Sequence, residues 1–437
     1  MSAAHHPIHG RPTAYVNARL LDPESGYDGP GALVTAEGVI AGVEHRAQID
    51  NPSADLAIHD CGGALLIPGL VDIRVKTGEP GSEPKETLKS ASLAAAAGGV
   101  TTIVVQPDTD PVVDEPAVVD FILRRARDIE LVHVLAAGAA TRGLEGKRMA
   151  ELGLMAEAGA VYFTDAEKPV VDSKVFRRVL SYARAFDRPV AHRPVEPYLA
   201  AGAVATEGEL AGRLGLPSVP AVAERIMLER DLALAELTRA HLIVDQITTE
   251  GALDALRRAV DRGVQATATA SINHLCFNEV DIGDYRTFYR FDPPLRAESD
   301  RQALIAALAD GTVKVVTSAH TPAPAEDKRL PFSEATPGAV GLETLLPALL
   351  SLHHDGGLDL LTLIRAVTLA PAELLGLSSG RLKRGAPADL VMCDLDAPRR
   401  IDAAKLRSKS KNSPFDGRRL QGEVRLTVVD GRAVYAA

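Results

Sequence analysis

At 437 residues with 46% apolar side chains and no tryptophan, the chain is longer than one small domain and has the material for a sizeable aliphatic core. Its formal net charge of −10 excludes nonspecific binding to nucleic acid or to anionic membranes, which would repel it. Cys61, Cys276 and Cys393 stand far apart without CxxC spacing, so they signal neither a disulfide framework nor a zinc ribbon and fit a reducing cytoplasm. The sequence shows no leader-like apolar stretch and no run of about 18 apolar residues, which points to a cytoplasmic protein rather than a secreted or membrane-spanning one.

In chain order, His5, His6 and His9 read as part of a polar tail rather than a chelating set. Residues 1–64 then look β-rich, with alternation in "AYVNARLLD" and a hairpin turning near Glu37-Gly38. From 65 to 379, β-branched apolar runs recur at 65–75, 99–107, 130–138, 160–165, 188–194, 241–248, 264–271 and 313–320, separated mostly by Ala- and Leu-rich helical patterns. Eight strands alternating with helices predict a (β/α)8 TIM barrel; a doubly wound open sheet is the alternative that periodicity leaves open. Residues 380–437 return to β character with an Asp-Gly turn, which predicts a small composite β-sandwich domain built from 1–64 and 380–437 beside a barrel at 65–379.

Chemistry in a barrel gathers at the carboxyl ends of the strands. Those ends hold Arg74 and Lys76, Asp108, Asp165, His192, Gln246, Asn273 with His274, and Ser318 with His320. A metal hydrolase is one reading of such a set, with Asp165, His192 and His320 as its candidate ligands. They come from three strands with no HxH or HExxH pair, and the two cations on the first strand oppose a divalent ion. His192 and His320 read as hydrogen-bonded core histidines rather than as catalytic groups.

Several phrases, in this order and at these intervals, resemble the dihydroorotase family of the amidohydrolase superfamily: "PGLVD", "EPG", "AAAAGGVTTIVVQPDTDP", "FTD", "PPLR", "GLET", "APAELLGL", "GAPADLV" and "KNSPFDGRRLQG". The resemblance spans essentially the whole chain and implies a barrel with a composite sandwich. It also implies where active members keep their machinery, and here those places differ. Arg74 and Lys76 occupy the HxH zinc-ligand pair, and Gly78 the carboxylate-binding arginine. Asp108 and Asp292 replace two asparagines, and Gln246 stands at the sixth-strand ligand. Ala319 takes the place of the aspartate that binds metal and accepts a proton, and Ala323 that of a substrate-binding histidine. Asp165 and the histidines His192 and His320 are retained.

These departures lead to the expectation of no catalytic residue and no cofactor, zinc being the alternative. An anionic substrate would lose an arginine at position 78 and face acidic side chains at 108 and 292. Arg74 or Lys76 is expected to pair with Asp165 in place of a metal, or else to reach into solvent at the barrel mouth. The resemblance extends to inactive dihydroorotase-like proteins that assemble with aspartate transcarbamoylase in pyrimidine biosynthesis, so an oligomer with that transferase is the expected role, with segments 320–338 and 404–422 as contact candidates. The alternatives are a metal-dependent hydrolase of another cyclic amide and a metabolite-binding module.

Overall fold

A computed structural model of the chain describes residues 11–49 and 55–437, so His5, His6 and His9 lie outside the described residues. Eight parallel strands form the barrel in chain order: Leu70–Val75, Val100–Val105, His133–Ala139, Ala160–Thr164, Val190–His192, Leu242–Val244, Ala266–Ser271 and Val313–Thr317. The first and last strands meet through a parallel bridge between Val75 and His320, where the Lys76 amide donates to the His320 carbonyl at 2.9 Å. This closes the ring and excludes the open sheet. The runs are buried on both faces, which is why they read as continuous β-branched stretches rather than alternating ones.

The helices that clothe the barrel begin and end on local signals. Helix Leu88–Ala97 starts at a capping box between Thr87 and Ser90 and buries its alanine-rich face. It stops at Gly98-Gly99, where Gly99 adopts φ +78° and a side chain on Gly98 would strike the Leu342 carbonyl.

A second sheet joins both ends of the chain. Its strands run Arg432–Ala436, Arg419–Val429, Leu390–Arg400, Leu65–Pro68, Thr13–Asp22, Tyr27–Ala36 and Val39–Glu44, with Ala57–Asp60 also paired to Thr13–Asp22. Leu20, Leu33, Ile40, Leu66, Leu390 and Val428 pack together at its core. The run at 65–75, expected as one barrel strand, is therefore two: Leu65–Pro68 pairs with Leu390–Cys393 in this sheet, and only Leu70–Val75 enters the barrel. Pro68 lacks an amide donor, and at Gly69 a β-carbon would lie within 2.1 Å of the Thr101 hydroxyl, so the chain changes sheets at the one residue that permits it. Among the described residues, no helix is long and apolar enough to cross a membrane.

Candidate functional site

The first barrel strand sets the site. Val71 and Ile73 pack inward with Val104, Ala137, Tyr162, Ala191, Ile243 and Val315. Register with the second strand slips between Asp72 and Val75, and from this bulge onward Arg74 and Lys76 face the cavity at the carboxyl ends. Side chains help to hold the bulge. Asp72 Oδ1 accepts from the Arg74 amide at 3.2 Å, and the Ile73 carbonyl accepts from the Tyr162 hydroxyl at 2.6 Å.

Arg74 is 3% exposed and does not reach solvent. Its Nε donates to Asp245 Oδ2 at 2.9 Å and its Nη2 to Glu167 Oε1 at 2.8 Å. Gln246, with its amide oxygen turned toward Arg74, accepts from Nη1 at 2.8 Å. Lys76 Nζ lies 2.6 Å from Glu167 Oε2 and 2.6 Å from Asp108 Oδ2. Beside this network Arg193 donates to Asp292. Burial alone would lower the Lys76 pKa, but Asp108 and Glu167 outweigh it and raise it. Burial would likewise raise the Glu167 carboxyl, yet Lys76 and Arg74 hold it well below the usual range.

Asp165 is not the partner of these cations. Ala166, at φ 53°, breaks the strand's alternation. Asp165 is turned onto the Thr141 amide at 2.8 Å and the Thr141 hydroxyl, while Glu167 reaches the cavity. Burial raises the Asp165 carboxyl, and the Thr141 bonds oppose that shift. Asp108 and Asp292 do not present bare negative charge either, since Lys76 and Arg193 pair with them.

The three candidate ligands Asp165, His192 and His320 are not brought together. His192 Nε2 accepts from the Val170 amide at 2.8 Å, which leaves the proton on Nδ1, 2.6 Å from Asp231 Oδ2. Both ring nitrogens are thereby used. His320 is fully buried; its Nδ1 accepts from the Gly341 amide at 3.2 Å and its Nε2 lies 3.5 Å from Glu86. None of the three lines the cavity.

That cavity, about 290 Å³, is bounded by Arg74, Lys76, Gly78, Lys85, Asp108, Glu167, Gln246, His274, Asp292 and Ala319. Ala323 is buried outside it, its amide donating to Asn412 Oδ1 at 3.1 Å. The segment at 320–338 supplies the rim through Thr321, Pro322 and Thr336 to Gly338. Segment 404–422 packs inward against that rim rather than standing free: Asn412 Nδ2 donates to the Thr321 carbonyl at 3.0 Å and the Gly338 carbonyl at 3.1 Å. Ser408 and the Lys409 amide donate to buried Glu86. Burial and then Arg296 lower the His274 imidazole to about 3, so it is neutral and a weak base. Ala319 offers no proton acceptor where the resemblance places the family's aspartate.

Sequence reasoning missed Glu167, Asp245 and Arg193. A signal existed, since two cations at the end of a buried strand require at least two carboxylates nearby. Each missed residue lies just past a strand end, where alternation no longer reports direction.

An eight-stranded parallel barrel with a terminal sheet built from both chain ends, and a polar cavity at the strands' carboxyl ends, defines an amidohydrolase-type protein. Comparison with known sequences agrees: residues 63–252 match the family described as "Dihydro-orotase-like", and residues 350–435 the "Amidohydrolase family". The chain is 40% identical over 427 residues to a dihydroorotase of Anaplasma phagocytophilum, covering 97% of this chain and 95% of that one. It is 40% identical to a dihydroorotase of Anaeromyxobacter dehalogenans, covering 95% and 96%. Among solved structures, an L-hydantoinase (dihydropyrimidinase) from Arthrobacter aurescens superposes with a TM-score of 0.88 at 25% identity, covering 98% of this chain and 96% of that one. The chain belongs to the dihydroorotase family.

Family membership overturns the expectation of no cofactor, because the resemblance ties active members to zinc. A group able to hold a metal does exist: among the described residues, His133, Asp389 and Asp430 bring one ligand atom each within 4.8 Å of one another. They lie at the opposite end of the barrel strands. At the mouth the residues do not fit the family's zinc. Two ligand positions carry cations already paired with carboxylates, a third carries an amide turned to Arg74, and the retained Asp165, His192 and His320 are bonded elsewhere.

Proposed function

We propose that this chain is a non-hydrolytic member of the dihydroorotase family that acts as a structural or regulatory partner of aspartate transcarbamoylase. One observation carries the reading: where the family's hydrolytic centre belongs, Arg74 and Lys76 are paired with Asp245, Glu167 and Asp108, and Ala319 replaces the proton acceptor. A hydrolase needs an activated water and a base, and this arrangement supports neither. The transferase as partner rests on the resemblance to inactive family members. Co-expression with the aspartate transcarbamoylase of the same organism tests it. Co-elution on sizing and a transferase that gains stability are expected; two separately eluting proteins with unchanged transferase activity would sink the partnership.

A second reading, a cyclic amidohydrolase, draws support from the dihydroorotase relatives at 40% identity and from the retained cavity of about 290 Å³. Ring opening of dihydroorotate, hydantoin or dihydrouracil by the purified chain, followed by ultraviolet absorbance, separates the two. Turnover at an enzymatic rate would overturn the first reading in favour of the second.

A further inference from the structure

Three side chains from distant parts of the sequence meet at the amino ends of the barrel strands. His133 opens the third barrel strand, Asp389 directly precedes strand Leu390–Arg400, and Asp430 sits in the turn between the last two strands of the terminal sheet. His133 Nε2 is 3.2 Å from Asp389 Oδ2 and 3.7 Å from Asp430 Oδ1. Asp389 is 2% exposed, and its Oδ1 accepts from the Asp430 amide at 3.0 Å, which fixes the carboxylate against the turn. His133 Nε2 is also hydrogen-bonded to that Oδ1 at 3.3 Å, while the buried Oδ2 receives no hydrogen bond. A buried carboxylate oxygen in that state is stabilised by a cation beside it, either the protonated His133 imidazole or a metal ion that takes the place of its proton. A cleft of about 470 Å³ reaches His133 and Asp430 and gives an ion a path in, with room for water ligands.

We propose that His133, Asp389 and Asp430 form a binding site for a divalent transition-metal ion of the zinc class, which clamps the terminal sheet to the floor of the barrel. One imidazole nitrogen and two carboxylate oxygens make the borderline donor set that zinc accepts, with water completing four-fold coordination. Two donors belong to the terminal sheet and one to the barrel, so the ion ties the two together. The site is separate from the mouth and independent of the function proposed for it.

The test uses the full-length chain carrying His5→Ala, His6→Ala and His9→Ala, so that N-terminal imidazoles contribute no binding. The protein is dialysed against micromolar zinc chloride and its metal content measured, with melting curves in zinc and in EDTA. About one zinc per chain and a rise in Tm with zinc are expected. In His133→Gln and Asp430→Asn, zinc affinity should fall by about tenfold or more, and the rise in Tm on adding zinc should be lost. The Asp430→Asn change keeps the backbone amide that holds Asp389, so it preserves the fold. A parent without stoichiometric zinc, or zinc retained undiminished in both variants, would overturn the inference; in the second case the ion sits elsewhere.

Discussion

At the carboxyl ends of the barrel strands, Arg74 and Lys76 supply positive charge as covalent parts of the chain; at the amino ends, His133 faces Asp389 and Asp430 with a single titratable proton to offer. Both arrangements answer the same problem, a buried carboxylate that needs a counter-charge: Asp245 at the mouth and Asp389 at the floor. The first answer is permanent: an arginine and a lysine held above their ordinary pKa values cannot be exchanged for an ion at any accessible pH. The second is exchangeable, because a histidine can give up its proton. The difference teaches that one fold can meet its carboxylates with fixed charge at one end of the barrel and with an exchangeable proton at the other.

The sharpest way to break this comparison is at Arg74. Arg74→Met leaves Asp245 and Glu167 short of a counter-charge in the interior and should cost about 4 kcal/mol of stability, read by chemical denaturation. An unchanged midpoint would mean that the mouth is solvated and its pairs are weak. Next in size, Asp231→Ala should cost about 2 kcal/mol by depriving the buried His192 Nδ1 proton of its acceptor. If His192 instead served a reaction at the mouth, stability would hold and only turnover would change.

Smaller effects separate the floor from the mouth by pH. Burial alone would lower the His133 pKa, but Asp389 and Asp430 outweigh it and raise it from an ordinary 6.5 to about 9. Its pairing therefore stabilises the metal-free fold fully below pH 6.5, and that contribution is lost as pH rises through 9. Melting in EDTA should show Tm declining across that window in the parent and a flatter profile in His133→Gln; identical profiles would remove the pairing. The smallest change is expected for Asp165→Asn, less than about 1 kcal/mol, since the amide oxygen can still accept from Thr141. A loss as large as that of Arg74→Met would return Asp165 to the charge network.

Much of the fold was legible because the barrel strands are mostly buried on both faces and read as largely apolar, often β-branched runs. The exception, 65–75, is a run that serves two sheets; Pro68 and Gly69 mark the change, but only the three-dimensional closeness of Thr101 makes Gly69 obligatory. At the mouth, residues on strands or directly at their tips, such as Arg74, Lys76, Asp108 and Gln246, were readable from position. Glu167 was not, because the positive φ at Ala166 reverses which side chain faces inward, and the alternation that would pair Arg74 with Asp165 fails there. The acidic cavity expected from Asp108 and Asp292 was misread for a related reason: their partners come from other strands. The group at the floor left no sequence signal at all, since His133 and Asp389 are 256 residues apart.

Asn412 bridges the Thr321 and Gly338 carbonyls, and Ser408 and Lys409 satisfy Glu86 beside the first strand. The rim of the cavity is thus finished by a stretch translated long after the strands that enclose it. During synthesis the barrel would have its walls before its lip, and a chain halted upstream of Ser408 would leave Glu86 without its Ser408 and Lys409 donors and the 320–338 segment without its brace. The finished shape of the cavity mouth therefore depends on residues 408–412 being in place.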